Sequence, residues 1–143
     1  MSAENIFHLL LSSKSRSRIR ETIVSLDVKH LYGPRSIKMS ANEAVVTCVA
    51  KNAEFYMEQF IRHYSLMGFR HIFFLDNGSD DETISIGKKH NNVSIFQSKL
   101  PVGTYLGFFK KFLAKNCAKG GWCLDADQDE FFDYPFSNVI TLQ

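Results

Sequence analysis

The chain has three cysteines, an odd number, and no C-x-x-C pair. Cys48, Cys117 and Cys123 each lie in an apolar stretch. They read as small buried hydrophobes in a reducing compartment, not as disulfides or zinc ligands. Long apolar runs are missing too: none approaches the roughly 20 residues that cross a bilayer. The N-terminus carries Glu4 and only a short apolar patch, Ile6 to Leu11, which makes a poor signal peptide. These absences predict a soluble, cytoplasmic protein. Net charge is low, +2, whereas a dedicated nucleic-acid binder concentrates basic charge on one face, so no nucleic-acid partner is expected. Two glycine signatures are absent. No G-x-G-x-x-G follows the first predicted strand, and no G-x-x-x-x-G-K-[ST] occurs. A nucleotide bound here would be held by carboxylates and metal instead of a glycine cradle. No Ser-His-Asp arrangement is legible, and His63, inside a predicted helix, reads as a packing or capping residue and not a base.

What is present suits one compact domain. A chain of 143 residues can bury a real core, and its thirteen Phe imply a well-filled one. Charge is uneven: residues 1–40 carry 7 Lys/Arg against 3 Asp/Glu, and the remainder 10 against 12. The basic excess centres on Lys14, Arg16, Arg18 and Arg20. A solvated helix face is the favoured reading; peripheral contact with an anionic membrane surface is the other.

Residues 1–40 read as a helical preface, with a helix from Arg16 to His30 that turns Ile19, Ile23, Leu26 and His30 to one face. Gly33-Pro34 stops it. From residue 41 the pattern is regular. Ala44–Ala50, His71–Leu75 ending at Asp76, Val93–Gln97 and Trp122–Ala126 are apolar runs expected to be strands buried on both faces. Between them, Met57, Phe60, Ile61, Tyr64 and Met67 recur at helical spacing before Gly68. Ser79 and Glu82 fit a capping box for a short helix that Gly87 weakens. Tyr105, Phe108, Phe109, Phe112, Leu113 and Cys117 mark a third helix, ended by Gly120-Gly121. The expected fold is α/β: a mostly parallel four-stranded sheet flanked by helices. Its strand-end loops collect polar groups on one edge, where open sheets bind ligands. The first loop offers Lys51, Asn52 and Glu54; the second Asp76, Asn77 and Ser79; the fourth Asp127 and Asp129.

Asp125-Ala126-Asp127-Gln128-Asp129-Glu130 places four acids in six positions. Such a cluster needs a counter-charge, and Mg²⁺ or Mn²⁺ with substrate phosphates would supply one. The plain alternative is a solvated acidic turn. The D-x-D-x-D spacing also opens an EF-hand loop, but that loop needs Gly at its sixth position and Glu at its twelfth. Glu130 and Phe136 stand there, and no helix pair brackets them.

Val49-Ala50-Lys51-Asn52, His63-Tyr64, Gly68-Phe69, Asp76-Asn77-Gly78-Ser79-Asp80-Asp81 and Trp122 through Pro135 occur in this order. Together they resemble family 2-type glycosyltransferases of the GT-A fold, in the branch with a D-x-D-E-F motif. The resemblance covers about Ala44 to Pro135. It implies the N-terminal, nucleotide-binding half of a GT-A (Rossmann-like) fold over residues 41–143. It also implies a nucleotide-diphosphate sugar donor, a saccharide or glycolipid acceptor, Mn²⁺ or Mg²⁺, and inversion at the anomeric carbon. Matching Trp122, Glu130-Phe131 and Tyr134-Pro135 puts the metal pair at Asp127 and Asp129. Asp125-Ala126-Asp127 is the second register. In the first register Asp125 faces away from the phosphates, which requires the chain to turn near Asp127. Asp76 matches the acid that holds the nucleoside, Ser79 and Asp81 the pair after it, and Lys51 and Asn52 the start of the first loop. Two positions depart from the family: Ala53 stands where Glu follows Asn, with Glu54 next, and Glu82 replaces a Gly. The acceptor-binding half and its catalytic base have no counterpart here, so the chain reads as truncated at its C-terminus and the catalytic residue is unassigned. Two rival functions remain: a non-catalytic metal-nucleotide-binding remnant, and a nucleotidyltransferase, whose first loop is usually richer in glycine and basic residues.

Overall fold

The computed structural model describes residues 12–135; Ile6–Leu11 and Phe136 lie outside them. The apolar runs form β3 (Ala44–Ala50), β4 (His71–Asp76), β5 (Val93–Gln97) and β7 (Trp122–Asp125), which lie parallel. Helices α2 (Glu54–Leu66), α3 (Thr83–Gly87) and α4 (Val102–Cys117) connect them. Strand alternation divides the interior in two. Val46, Cys48, Ala50, Ile72 and Phe74 share one core with Met57, Phe60, Ile61 and Tyr64 of α2. Val45, Phe73 and Leu75 share the other with Phe109, Leu113 and Cys117 of α4 and Val24 of α1 (Ser13–Asp27). The result is an α/β fold in three layers, compatible with a Rossmann-like arrangement.

Four expectations are corrected. Among the described residues the main sheet has five strands, because β1 (Lys29–Tyr32) adds antiparallel to β5 and gives the order β1-β5-β4-β3-β7. The helix predicted to reach His30 therefore ends at Asp27, and His30 is a strand residue paired with Phe96. The predicted helix face is also displaced. Val24 is the buried residue of α1, packed against α4, while Leu26 is 83% exposed. Last, β7 is not buried. It forms the far edge of the sheet, so Cys123 and Trp122 are exposed, whereas Cys48 and Cys117 are buried as expected. A small parallel ladder of β2 (Ile37–Lys38) and β6 (Ala118–Lys119) lies beside the main sheet. Among the described residues no helix is long and apolar enough to cross a membrane.

Gly87 is needed for packing. A Cβ there would stand 2.6 Å from Cε1 of Phe74 and 3.1 Å from Cδ1 of Ile95. The residue that weakens α3 locally thus lets α3 lie flat on the sheet. Gly68, at φ +94°, ends α2 in the left-handed region as its position suggested.

At the opposite end of the strands from the ligand edge, His71 is 5% exposed. Its Nε2 lies 2.8 Å from Oγ of Ser94, and that hydroxyl donates to the Pro34 carbonyl at 2.6 Å. Ser94 has one proton to give, so His71 Nε2–H is the donor between them. Burial, and then the neighbouring Arg70 charge, lower the His71 pKa to about 4 from 6.5. Above pH 6.5 this group carries no penalty. As pH falls from 6.5 to 4 the unfolded chain takes up a proton that the folded chain refuses, so stability is lost. At about 1.4 kcal/mol per unit the loss approaches about 3 kcal/mol. Replacing His71 with Gln should flatten the fall in melting temperature between pH 6.5 and 4. An unchanged slope would mean that His71 titrates normally in the folded chain.

Candidate functional site

The strand order reverses at β3. The chain runs outward through β4 and β5, then returns to place β7 on the other side of β3. Ligands of open α/β sheets bind at the carboxyl ends of strands, in the crevice at such a reversal. Here Lys51 follows β3, and the acids from Asp125 to Glu130 end and follow β7.

The acidic cluster has a resident counter-charge that periodicity did not reveal. Nζ of Lys110, from the middle of α4, lies 2.7 Å from Oδ2 of Asp125 and 3.1 Å from Oδ1 of Asp127. Donating hydrogen bonds to Asp125 and then Asp127 raises the Lys110 pKa, although burial opposes it. Oδ1 of Asp125 also accepts from the Thr47 hydroxyl at 3.3 Å, across the β3–β7 pairing that sets Thr47 beside Asp125. Both oxygens of Asp125 are therefore engaged by protein. Asp127 engages Lys110 through Oδ1 alone. The chain turns at once, with the Glu130 amide donating to the Asp127 carbonyl at 2.9 Å and the Asp127 amide to Oε2 of Glu130 at 3.1 Å. Asp129 is exposed in that turn, and its side chain makes no hydrogen bond or ion pair among the described residues. The required turn near Asp127 is present, but Asp125 converges with Asp127 on one lysine.

One lysine does not balance the cluster. Cys48, buried beneath it in β3, reports the local field. Burial first, and then the charges of Asp127, Asp125 and Asp129, push its thiol pKa up, while Lys110 works the other way. Open carboxylate oxygens in a net negative field suit a hard cation. Among the described residues no three acid, His or Cys side chains form a group able to hold an ion alone. Two carboxylates completed by substrate phosphates is the usual manner for Mg²⁺.

The other predicted site residues come together at the same edge, largely by bonding one another. Asp76 is fully buried. Its carboxylate accepts from the amides of Gly78 (3.0 Å) and Ser79 (3.2 Å) and from Nε2 of Gln97 (2.9 Å). Asn77 donates to the Ser98 and Leu100 carbonyls, both at 2.9 Å. Asn52 has φ +50°, a left-handed conformation that Asn tolerates well. Its amide donates to Oγ of Ser79 at 2.8 Å, and its Oδ1 accepts from the Asp80 amide at 3.1 Å. Glu54 and Asp81 exchange bonds between the loops: the Glu54 amide donates to Asp81, and the Glu82 amide to Glu54, each at 3.1 Å. Asp81 also accepts from the Thr83 amide at 3.0 Å. The Lys51 amide donates to Oε1 of Gln128 at 3.0 Å, tying the β3 and β7 loops. Gln128, Thr83, Gln97 and Lys110 were not foreseen. Only the polar position of Gln128 inside the acidic motif could have signalled any of them.

The capping box is a further correction. Helix α3 starts at Thr83, and Ser79 is turned to the Asn52 amide. Asp81 takes the capping role, accepting at the first turn of α3 and from α2's Glu54. His63 is the packing residue it was expected to be. Its Nε2–H donates to the Phe132 carbonyl at 2.6 Å, and its ring meets Tyr64 and Phe131 edge-on. With Tyr64, whose hydroxyl donates to the Glu130 carbonyl at 2.8 Å and accepts from the Phe132 amide at 3.1 Å, it fixes the chain leaving the acidic turn.

Burial raises the Asp81 pKa in itself, but the hydrogen bonds from Thr83 and Glu54 outweigh it and hold the carboxyl below its ordinary value. Asp81→Ala removes two amide acceptors at once and should cost about 1–2 kcal/mol. Hydrogen exchange should speed up most at the amides of Glu54 and Thr83. Protection unchanged at both would show that these bonds do not hold the loops.

Comparison of the chain with protein-family models gives no match, and comparison with curated proteins gives none.

Proposed function

We propose that this domain binds a nucleotide-diphosphate sugar with Mn²⁺ or Mg²⁺, as the donor-binding part of a GT-A glycosyltransferase that transfers the sugar to a saccharide or glycolipid acceptor with inversion. The observation that carries the reading is the set of open carboxylates, Asp127 and Asp129, just past β7 at the sheet reversal. Asp125 has a protein partner on each oxygen, Thr47 on one and Lys110 on the other, and serves to anchor that lysine. Asp127 keeps one oxygen free of protein partners, and Asp129 both. This division of labour favours the Asp127–Asp129 register for the metal. Lys110, already against Asp127, stands ready to contact the diphosphate when the metal takes over part of its role. The bound cation supplies Lewis-acid neutralisation of the charge that builds on the departing nucleoside diphosphate, worth several kcal/mol. Asp76 and Asn77 hold the second loop in the shape on which the nucleoside lies, and Asn52, Glu54, Ser79 and Asp81 join that loop to the first.

A domain that holds the metal-nucleotide and transfers nothing is the second reading. The self-contained bonding of the loops favours it, since those residues have a structural use without any reaction. The two readings share the binding step.

Calorimetry with UDP, GDP and dTDP should show affinity that rises with Mn²⁺ and falls with chelator. Asp129→Asn should weaken metal-dependent binding by about tenfold or more, and Asp125→Asn by no more than a few-fold beyond its effect on stability. Equal affinity with and without metal would sink the proposal. The reverse ranking of the two variants would move the metal to Asp125 and Asp127.

A further inference from the structure

A second cavity lies away from the acidic edge, between α1, β1 and the C-terminal turns of α4. Its volume is about 390 Å³, within the range of small-molecule sites. Its walls are of two kinds. His30, Phe96 and Phe112 form a contiguous ring cluster, with centroids 5.2 Å apart for His30–Phe96 and 5.9 Å for Phe96–Phe112. Arg35 and Lys119 supply two positive charges, and no Asp or Glu lines the cavity. Neither cation makes an ion pair among the described residues, although Glu21, Glu43 and Glu58 elsewhere each hold a basic partner.

The wall residue His30 also carries an unpaired nitrogen on its shielded side. Nε2 of His30 is shielded from solvent and has no hydrogen-bond partner, the one such side-chain atom among the described residues. Cys117 in the same wall stays a thiol, its pKa pushed up to about 12 by burial and by Cys123. With that thiol and two cations, the lining repels a metal ion and attracts an anion.

We propose that this cavity is a second binding site, for a small organic anion with an aromatic or apolar body and one phosphate or carboxylate group. The body lies against the rings of His30, Phe96 and Phe112, and the anionic group meets Arg35 and Lys119. The site is independent of the acidic edge, which carries the opposite charge and would repel the same molecule in the absence of metal.

The test is a metal-free NMR titration of the full chain with phenyl phosphate, benzoate, inorganic phosphate and phenol. Saturable shifts with phenyl phosphate or benzoate are expected at the backbone amides of His30, Arg35 and Lys119 and at the His30 ring nitrogens. Phenol and inorganic phosphate should each bind about tenfold more weakly, since each lacks one of the two contacts. The two anionic probes distinguish a phosphate-bearing from a carboxylate-bearing ligand. Arg35→Gln and Lys119→Gln, both exposed positions, should each weaken the aromatic anion severalfold while leaving the rest of the spectrum in place. Three results would overturn the proposal: no saturable shift with either aromatic anion, inorganic phosphate binding as tightly as phenyl phosphate, or shifts confined to residues 76–81 and 125–130. The wild-type titration decides even if a variant fails to fold.

Discussion

Asp125, Asp127, Asp129 and Glu130 are carboxylates crowded where β7 ends, and the repulsion among them must be met by positive charge. Lys110 meets part of it from α4, bridging Asp125 and Asp127. That bridge ties α4, seated on the sheet by Phe109, Leu113 and Cys117, to the end of β7, and the Thr47 hydroxyl adds a side-chain bond to the β3–β7 ladder. The exposed edge strand has few apolar contacts of its own to hold it. Its alignment rests on ladder pairing to β3, on this bridge, and on the anchoring of the following segment by His63 and Tyr64. One charge offsets only part of the cluster. The remaining imbalance is what the proposed function uses.

The loops on this edge form one bonded unit. Each strand exit is tied to its neighbour: β3 to β4 through Asn52, Glu54, Ser79 and Asp81; β4 to the exit of β5 through Asp76 and Asn77; β3 to β7 through Gln128. Pre-organisation of this kind lowers the ordering cost when a ligand binds. It also explains why the segment Asp76 through Asp81 carries short polar side chains at nearly every position. Asp76, Ser79 and Asp81 there do the work of turns and caps, accepting from nearby amides that the bends leave unpaired, while the Asn77 side chain donates to two carbonyls past β5.

Much of this architecture is legible in residue order. Three of the four apolar runs, β3, β4 and β5, are strands whose residues alternate between two cores, as a run buried on both faces does; the fourth, β7, is a strand at the exposed edge. Two of the connecting helices, α2 and α4, follow from apolar spacing and α2's end from Gly68; the short α3 is expected from a capping box at Ser79 that the structure does not form, although the helix is there. What escaped reading had few residues or long-range partners. β1 is a four-residue segment, Lys29 to Tyr32, with the mixed exposure of an edge strand, and it directly follows a helix, so helical periodicity extends through it. The buried residue of α1 depends on where α4 packs, which local spacing does not encode. At the site, the acidic motif and the turn at Asp127 could be read, and the gathering of both loops at one edge followed from the βα alternation. Lys110 could not be read, because it lies on a different element and meets Asp125 and Asp127 only after α4 packs on the sheet.

The central claim is that the charge left unbalanced by Lys110 receives a divalent cation at Asp127 and Asp129 when a nucleoside diphosphate is present. Paramagnetic broadening by substoichiometric Mn²⁺ in the presence of UDP locates the ion directly. The claim predicts broadening that is strongest at the amides of Asp127 through Glu130, reaches Lys51 across the crevice, spares residues 28–36, and is lost in Asp129→Asn. Broadening unchanged in Asp129→Asn, or spread evenly over the acidic surface, would contradict it.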